Sequence, residues 1–130
     1  MLQMRLILML SFLLITVTSG GAQQMNEPDS PCKVAGTSLL VACLSKARAS
    51  SEAAMNSVYE KVKSRLDTSE IDQLSNTQRL WTEYRDSNCT AERSLYGIGT
   101  AASPAYLACI EAMTRSRTKE LLVTYTVRLK

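Results

Sequence analysis

Gln78-Arg-Leu-Trp-Thr-Glu-Tyr-Arg-Asp-Ser-Asn-Cys89 contains the single tryptophan of the chain. Gln78, Trp81, Arg85 and Cys89 recur at helical spacing, so at about 3.6 residues per turn they share one face. A helix packed on a core usually gives that face to aliphatic side chains. Here a large aromatic residue alternates with polar groups and the stripe ends at a cysteine. The pattern predicts a seam built on hydrogen bonds and closed by a covalent tie.

Upstream, Asp67-Thr-Ser-Glu70 reads as a helix start, with Asp67 as N-cap and Glu70 reaching back in a capping box. Ile71 and Leu74 then extend the tryptophan stripe towards the N-terminus. Before the cap, Met55, Val58, Tyr59, Val62 and Leu66 have the spacing of one buried helical face. Leu40, Cys43, Leu44 and Ala47 carry that pattern back to Ser38. The polar cluster Arg48 to Glu52 is a place for this segment to break or bend. Gly36 is the expected point of chain reversal, followed by Thr37 or Ser38 as a cap. Two helices joined by a turn at Asp67 to Ser69 predict an antiparallel hairpin.

Downstream, Ser94 to Ser103 includes Gly97 and Gly99. Without a preceding strand this Gly-x-Gly is a poor phosphate cradle and reads as a connection between helices. Ser103-Pro104 has the form of an N-cap followed by proline at the first helical position. Leu107, Ile110, Thr114, Arg117 and Leu121 then form one stripe. The alternation Val123, Tyr125, Val127, Leu129 is strand-like, but it has no partner strand, so a helix fraying near Tyr125 is expected. The expected core is Leu44, Met55, Val58, Tyr59, Val62, Leu66, Ile71, Leu74, Trp81, Leu107, Ile110 and Leu121. The fold class is an all-α, disulfide-stapled bundle of three to four helices.

The N-terminus reads as an export signal: Arg5, an apolar run from Leu6 to Val17, then small residues at Gly20 and Ala22 that fit cleavage after Ala22. That run is shorter than the roughly 20 residues a membrane span needs, so no stable span is expected after cleavage. The expected organisation is a signal at residues 1–22, a flexible arm at 23–31, a helical domain at 32–125 and a frayed C-terminus at 126–130. A formal net charge of +3 with no basic block does not point to nucleic acid. Cys32, Cys43, Cys89 and Cys109 form an even set in an exported chain, which argues for two disulfides. There is no histidine and no Cys-x-x-Cys knuckle, which argues against a metal site.

With these residues placed, the chain resembles the lysozyme inhibitor LprI family. Three blocks carry the likeness: Met55-Asn56-Ser-Val-Tyr59, where the family usually has leucine first; Gln78-x-x-Trp81-x-x-x-Arg85-Asp86-x-x-Cys89; and Cys109-x-x-x-Met113-Thr114-x-x-Arg117-x-x-x-Leu121. They span roughly Cys32 to Leu121. The glycines of the loop are spaced as Gly-x-Gly where relatives often have them adjacent. The resemblance implies a cysteine-stapled helical domain of the bacterial periplasm or a secreted one, associated in some relatives with inhibition of lysozyme. Its protein partner would be a lysozyme or muramidase. An immunity protein against a delivered cell-wall toxin, and an envelope accessory protein without inhibitory activity, are the alternatives.

Catalytic chemistry has few candidates. Glu83 with Asp86, or Glu111 with Glu120, are the carboxylate pairs available for acid–base work on a glycoside, but charges on amphipathic helices usually form the solvated face. No catalytic residue, cofactor or metal is expected. Arg85 and Arg117 lie on buried stripes. Either they form a receptor for an anion between helices, or their guanidinium groups bond Gln78 or a carboxylate such as Asp86 while Trp81 and Tyr59 cover the stems. The second reading is preferred, because an unpaired buried charge costs several kcal/mol. Asn56, Tyr59, Gln78, Trp81, Arg85, Asp86, Thr114 and Arg117 are accordingly read as structural. Arg93, Tyr96, Gly97 and Gly99 are the candidate partner-binding loop, stiffened at its base by a bridge between Cys89 and Cys109. Pairing nearest neighbours gives Cys32 to Cys43 and Cys89 to Cys109, each enclosing an expected reversal.

Overall fold

A computed structural model describes residues 29–130. The expected export signal and most of the arm lie outside the described residues. The chain forms α1 (Thr37–Lys63), α2 (Thr68–Ser94), α3 (Ala102–Thr124) and a single-turn α4 (Thr126–Leu129), with no strand among the described residues. Both disulfides pair as nearest neighbours: Cys32–Cys43 with Cα atoms 5.9 Å apart and Cys89–Cys109 with Cα atoms 5.5 Å apart.

α1 is continuous through Arg48 to Glu52, where a break or bend was anticipated. No glycine or proline interrupts it, and Arg48 pairs with Glu52 one turn on at 3.2 Å, which supports the helix locally. The polar cluster also faces inward: the Ser51 hydroxyl donates to Glu111 on α3 at 3.0 Å. Gly36 makes the expected reversal with φ of 89°, but it is itself the N-cap, and neither Thr37 nor Ser38 caps α1 with its side chain. A left-handed φ of this kind favours glycine, since an added Cβ would strain the backbone whatever the space around it.

At the start of α2 the capping box forms as expected. Glu70 N–H donates to Asp67 Oδ1 at 2.9 Å, and Asp67 N–H donates to Glu70 Oε2 at 3.1 Å. The short turn does not, however, produce a closely packed pair. The backbones of α1 and α2 make few close approaches, while α3 packs along both. α3 is therefore the central helix, and its buried residues go most of the way round: Ala105, Ala108, Cys109, Ile110, Glu111, Thr114, Arg117 and Leu121 among them. The small Ala105 and Ala108 let a neighbouring helix come close, as ridge-into-groove packing requires.

α3 begins at Ala102, two residues before the expected start, with Ala101 as an N-cap that makes no side-chain bond. Pro104 falls in the first turn, where its missing N–H is harmless. The C-terminal segment does not fray at Tyr125. It kinks there and continues as α4. Tyr125 and Leu129 pack inward on the cluster of Met55, Val62, Leu74 and Leu121, whereas Val123 and Val127 are exposed. The strand-like alternation was two i, i+4 pairs facing opposite ways. Arg128 ties α4 to Glu70 of α2.

Of the expected core, Leu44, Met55, Val62, Leu74, Ile110 and Leu121 are buried. Val58, Tyr59, Leu66, Trp81 and Leu107 are partly buried and packed on the core clusters, and Ile71 is half-buried.

Candidate functional site

The tryptophan stripe of α2 meets α3 in a layer of aromatic and guanidinium groups. The Arg85 and Arg117 guanidinium carbons lie 5.2 and 5.6 Å from the centroid of the Trp81 ring, within cation–π range. Arg85 is reached from three helices. Its Nε donates to Asp86 at 2.9 Å, its Nη1 donates to the Thr114 hydroxyl of α3 at 3.0 Å, and Glu52 of α1 stands 3.6 Å away. Arg117 donates from Nε to Gln78 Oε1 at 3.1 Å and pairs with Glu120 at 2.9 Å. Both arginine side chains are more than nine-tenths buried, so these partners offset a desolvation cost that would otherwise be several kcal/mol per ion.

Gln78, Trp81, Arg85, Asp86, Thr114 and Arg117 thus come together as one network. The Tyr59 hydroxyl lies 3.1 Å from Ser75 Oγ, and the Lys63 ammonium stands 5.9 Å from its ring centroid. The other carboxylates named for acid–base chemistry are also engaged. Glu83 pairs with Arg79 at 2.7 Å, and the buried Glu111 accepts from Ser51 and from Arg115 at 3.0 Å each. Arg115 reaches further, to Asp29 at 2.6 Å, strapping the N-terminal segment onto α3. Its hydrogen bond holds the Asp29 carboxyl below the ordinary aspartate range. Hydrogen bonds to Glu111 and then to Asp29 raise Arg115 in turn. The inward role of Ser51, Glu52 and Glu111 escaped the sequence because all three are polar and read as part of the solvated face, although Ser51 stands four residues from both Ala47 and Met55 and Glu111 four after Leu107. Among the described residues, no group of histidine, cysteine, aspartate and glutamate is placed to hold a metal ion.

The connection between α2 and α3 occupies Leu95 to Ala101, with Ser94, Ala102 and Ser103 already helical. It is a succession of tight backbone bonds: Tyr96 N to Arg93 O at 3.1 Å, Gly97 N to Ser94 O at 3.3 Å, Gly99 N to Tyr96 O at 2.9 Å and Ala102 N to Gly99 O at 3.1 Å. Gly97 takes φ of 55°, and a Cβ at Gly99 would come within 3.0 Å of the Tyr96 carbonyl, so each glycine has a conformational reason. The bridge from Cys89 to Cys109 closes the base. Arg93 sits in the last turn of α2 with its guanidinium 5.9 Å from the Tyr106 ring, and Tyr96 is half-buried. The side chains presented to solvent are Leu95 and Ile98, at 82% and 108% relative exposure. They went unselected from the sequence. The available signal was that neither belongs to a helical stripe, although both are large and apolar.

Residues 32–121 match the sequence pattern of the family described as lysozyme inhibitor LprI. The chain belongs to the lysozyme inhibitor LprI family. No curated protein and no solved structure gives a match. The matched range includes the whole network: the bonds from Arg85 to Thr114 and from Arg117 to Gln78 cross the α2–α3 seam, and Asp86 pairs with Arg85 within α2. Two formed disulfides agree with an extracytoplasmic setting, and among the described residues no helix is long and apolar enough to cross a membrane.

Proposed function

We propose that the mature protein, exported to the periplasm or secreted, binds a lysozyme or related muramidase and slows it by occupying its cleft, with no catalysis of its own. Membership of the LprI family supports the target class. The observation that carries the binding mode is the loop with Leu95 and Ile98 almost fully exposed on a disulfide-closed base. A stiff apolar projection loses little conformational entropy on insertion, so more of its contact energy appears as affinity. Large apolar side chains exposed together on a surface are stabilised when a partner removes them from water. Arg93, Tyr96, Gly97 and Gly99 shape and flank this projection, while Leu95 and Ile98 fill the partner.

Turbidity assays of purified oxidised protein against several classes of lysozyme test the reading. The expected result is a slowed lytic rate with at least one class and a complex on gel filtration, with both lost in a Leu95→Ser, Ile98→Ser variant. Full lysis with every lysozyme at saturating protein would reject inhibition and leave an envelope accessory role. Inhibition unchanged in the double variant would reject the loop alone.

A further inference from the structure

The separation of α1 from α2 leaves a groove of about 430 Å³ between them. That volume lies within the range of small-molecule sites, roughly 300–1,000 Å³. Glu52, Asn56 and Tyr59 form one helical stripe along its α1 wall, and Ser75, Thr82 and Arg85 line the α2 wall. Most of these groups have duties inside the fold. Arg85 is neutralised by Asp86 and Glu52, and Glu52 also pairs with Arg48. The Tyr59 and Ser75 hydroxyls face each other, and the Thr82 hydroxyl donates to the Gln78 carbonyl at 2.9 Å, which leaves its oxygen able to accept.

Beside the Glu60 carboxylate, which also lines the groove and is exposed to solvent, Asn56 is the exception. It belongs to the first of the three blocks that resemble the family, yet among the described residues its amide makes no hydrogen bond, and it stands exposed on the groove wall. A carboxamide offers a donor and an acceptor on one carbon, the complement of another amide's C=O and N–H. Beside it are hydroxyls and the flank of a tyrosine ring, suited to the hydroxyl edges and C–H faces of a pyranose. The buried Arg85 charge is already compensated and the Glu60 carboxylate is exposed to water, so a neutral hydrogen-bonding ligand is the better match for the inner part of the groove.

We infer that this groove is a saccharide subsite that takes a short N-acetylated amino-sugar, with Asn56 bonding the acetamido group and Tyr59 forming the wall against the ring. The site is separate from the loop and does not depend on lysozyme inhibition. Its test is titration of the oxidised, isotope-labelled protein with N,N′-diacetylchitobiose, followed by NMR and with no lysozyme present. The expected result is saturable shifts at the Asn56 side-chain amide and the Tyr59 ring. Affinity should fall at least about ten-fold for cellobiose, which lacks the acetamido groups, and by a similar factor in an Asn56→Ala variant whose spectrum shows it folded. Absence of shifts in the folded wild-type protein would overturn the inference. So would equal affinity for cellobiose, retention of binding in Asn56→Ala, or a response to arginine ethyl ester in place of the sugar, which would assign the groove to a cationic side chain.

Discussion

The α2–α3 seam and the α2–α3 loop are joined by the same disulfide and are built in opposite ways. In the seam, the polar side chains of Arg85, Thr114 and Arg117 are buried and every one of the six network residues has a partner, two of them arginines within cation–π range of Trp81. In the loop, the backbone bonds to itself and the apolar side chains Leu95 and Ile98 point outward. The seam inverts the usual rule for an interior and the loop inverts it for a surface. The physical consequence is a division of labour: side chains whose hydrogen bonds are satisfied internally hold the fold, while side chains left without apolar neighbours have contact energy to give to a partner.

Perturbations of the seam should therefore act on stability and those of the loop on binding. The largest effect is expected for Trp81→Ala, which removes the ring that both guanidinium groups approach and should cost about 3–5 kcal/mol in chemical denaturation. A destabilisation below about 1 kcal/mol would mean that the arginines hold the seam without the ring. Next comes the pair Cys89→Ala with Cys109→Ala. Opening a loop of sequence separation 20 should cost on the order of 3 kcal/mol in the chain-entropy account, and this is the one change that should weaken both stability and inhibition. If inhibition survives in full, the loop is stiff without its bridge.

Thr114→Val is a smaller and more selective probe. It keeps the shape of a fully buried side chain and removes the acceptor 3.0 Å from Arg85 Nη1. The expected cost is about 1–3 kcal/mol, measured as a fall in denaturant midpoint without a change in slope. A neutral result would show that Asp86 and Glu52 suffice for Arg85. The smallest effect on stability, within about 0.5 kcal/mol, is expected for Leu95→Ser with Ile98→Ser, since both side chains are exposed. A large loss of stability there would place the two residues in the core of the solution structure and collapse the contrast between the regions.

Much of this architecture could be read from short-range pattern. The capping box at Asp67 and Glu70, the stripes of α1, α2 and α3, and the pairing of an even cysteine set follow from interactions spanning a few residues, or from chain reversals marked by Gly36 and the glycine-bearing loop. That Arg85 and Arg117 would bond Gln78 or a carboxylate such as Asp86 was legible too, because a buried guanidinium on an apolar stripe must find an acceptor; which arginine takes which partner was not.

What tertiary structure alone decided is everything that depends on where the third helix lies. Because α3 packs along both α1 and α2, the two earlier helices stand apart and a polar groove opens between them. The same placement draws Ser51, Glu52 and Glu111 inward although their side chains are polar, and keeps α1 unbroken where its sequence is most polar. It turns Tyr125 and Leu129 towards the core and Val123 and Val127 away. Local sequence sets helical faces through hydrogen bonds four residues apart; which face is covered, and which polar group finds a partner across a helix, is set by packing between residues far apart in the chain.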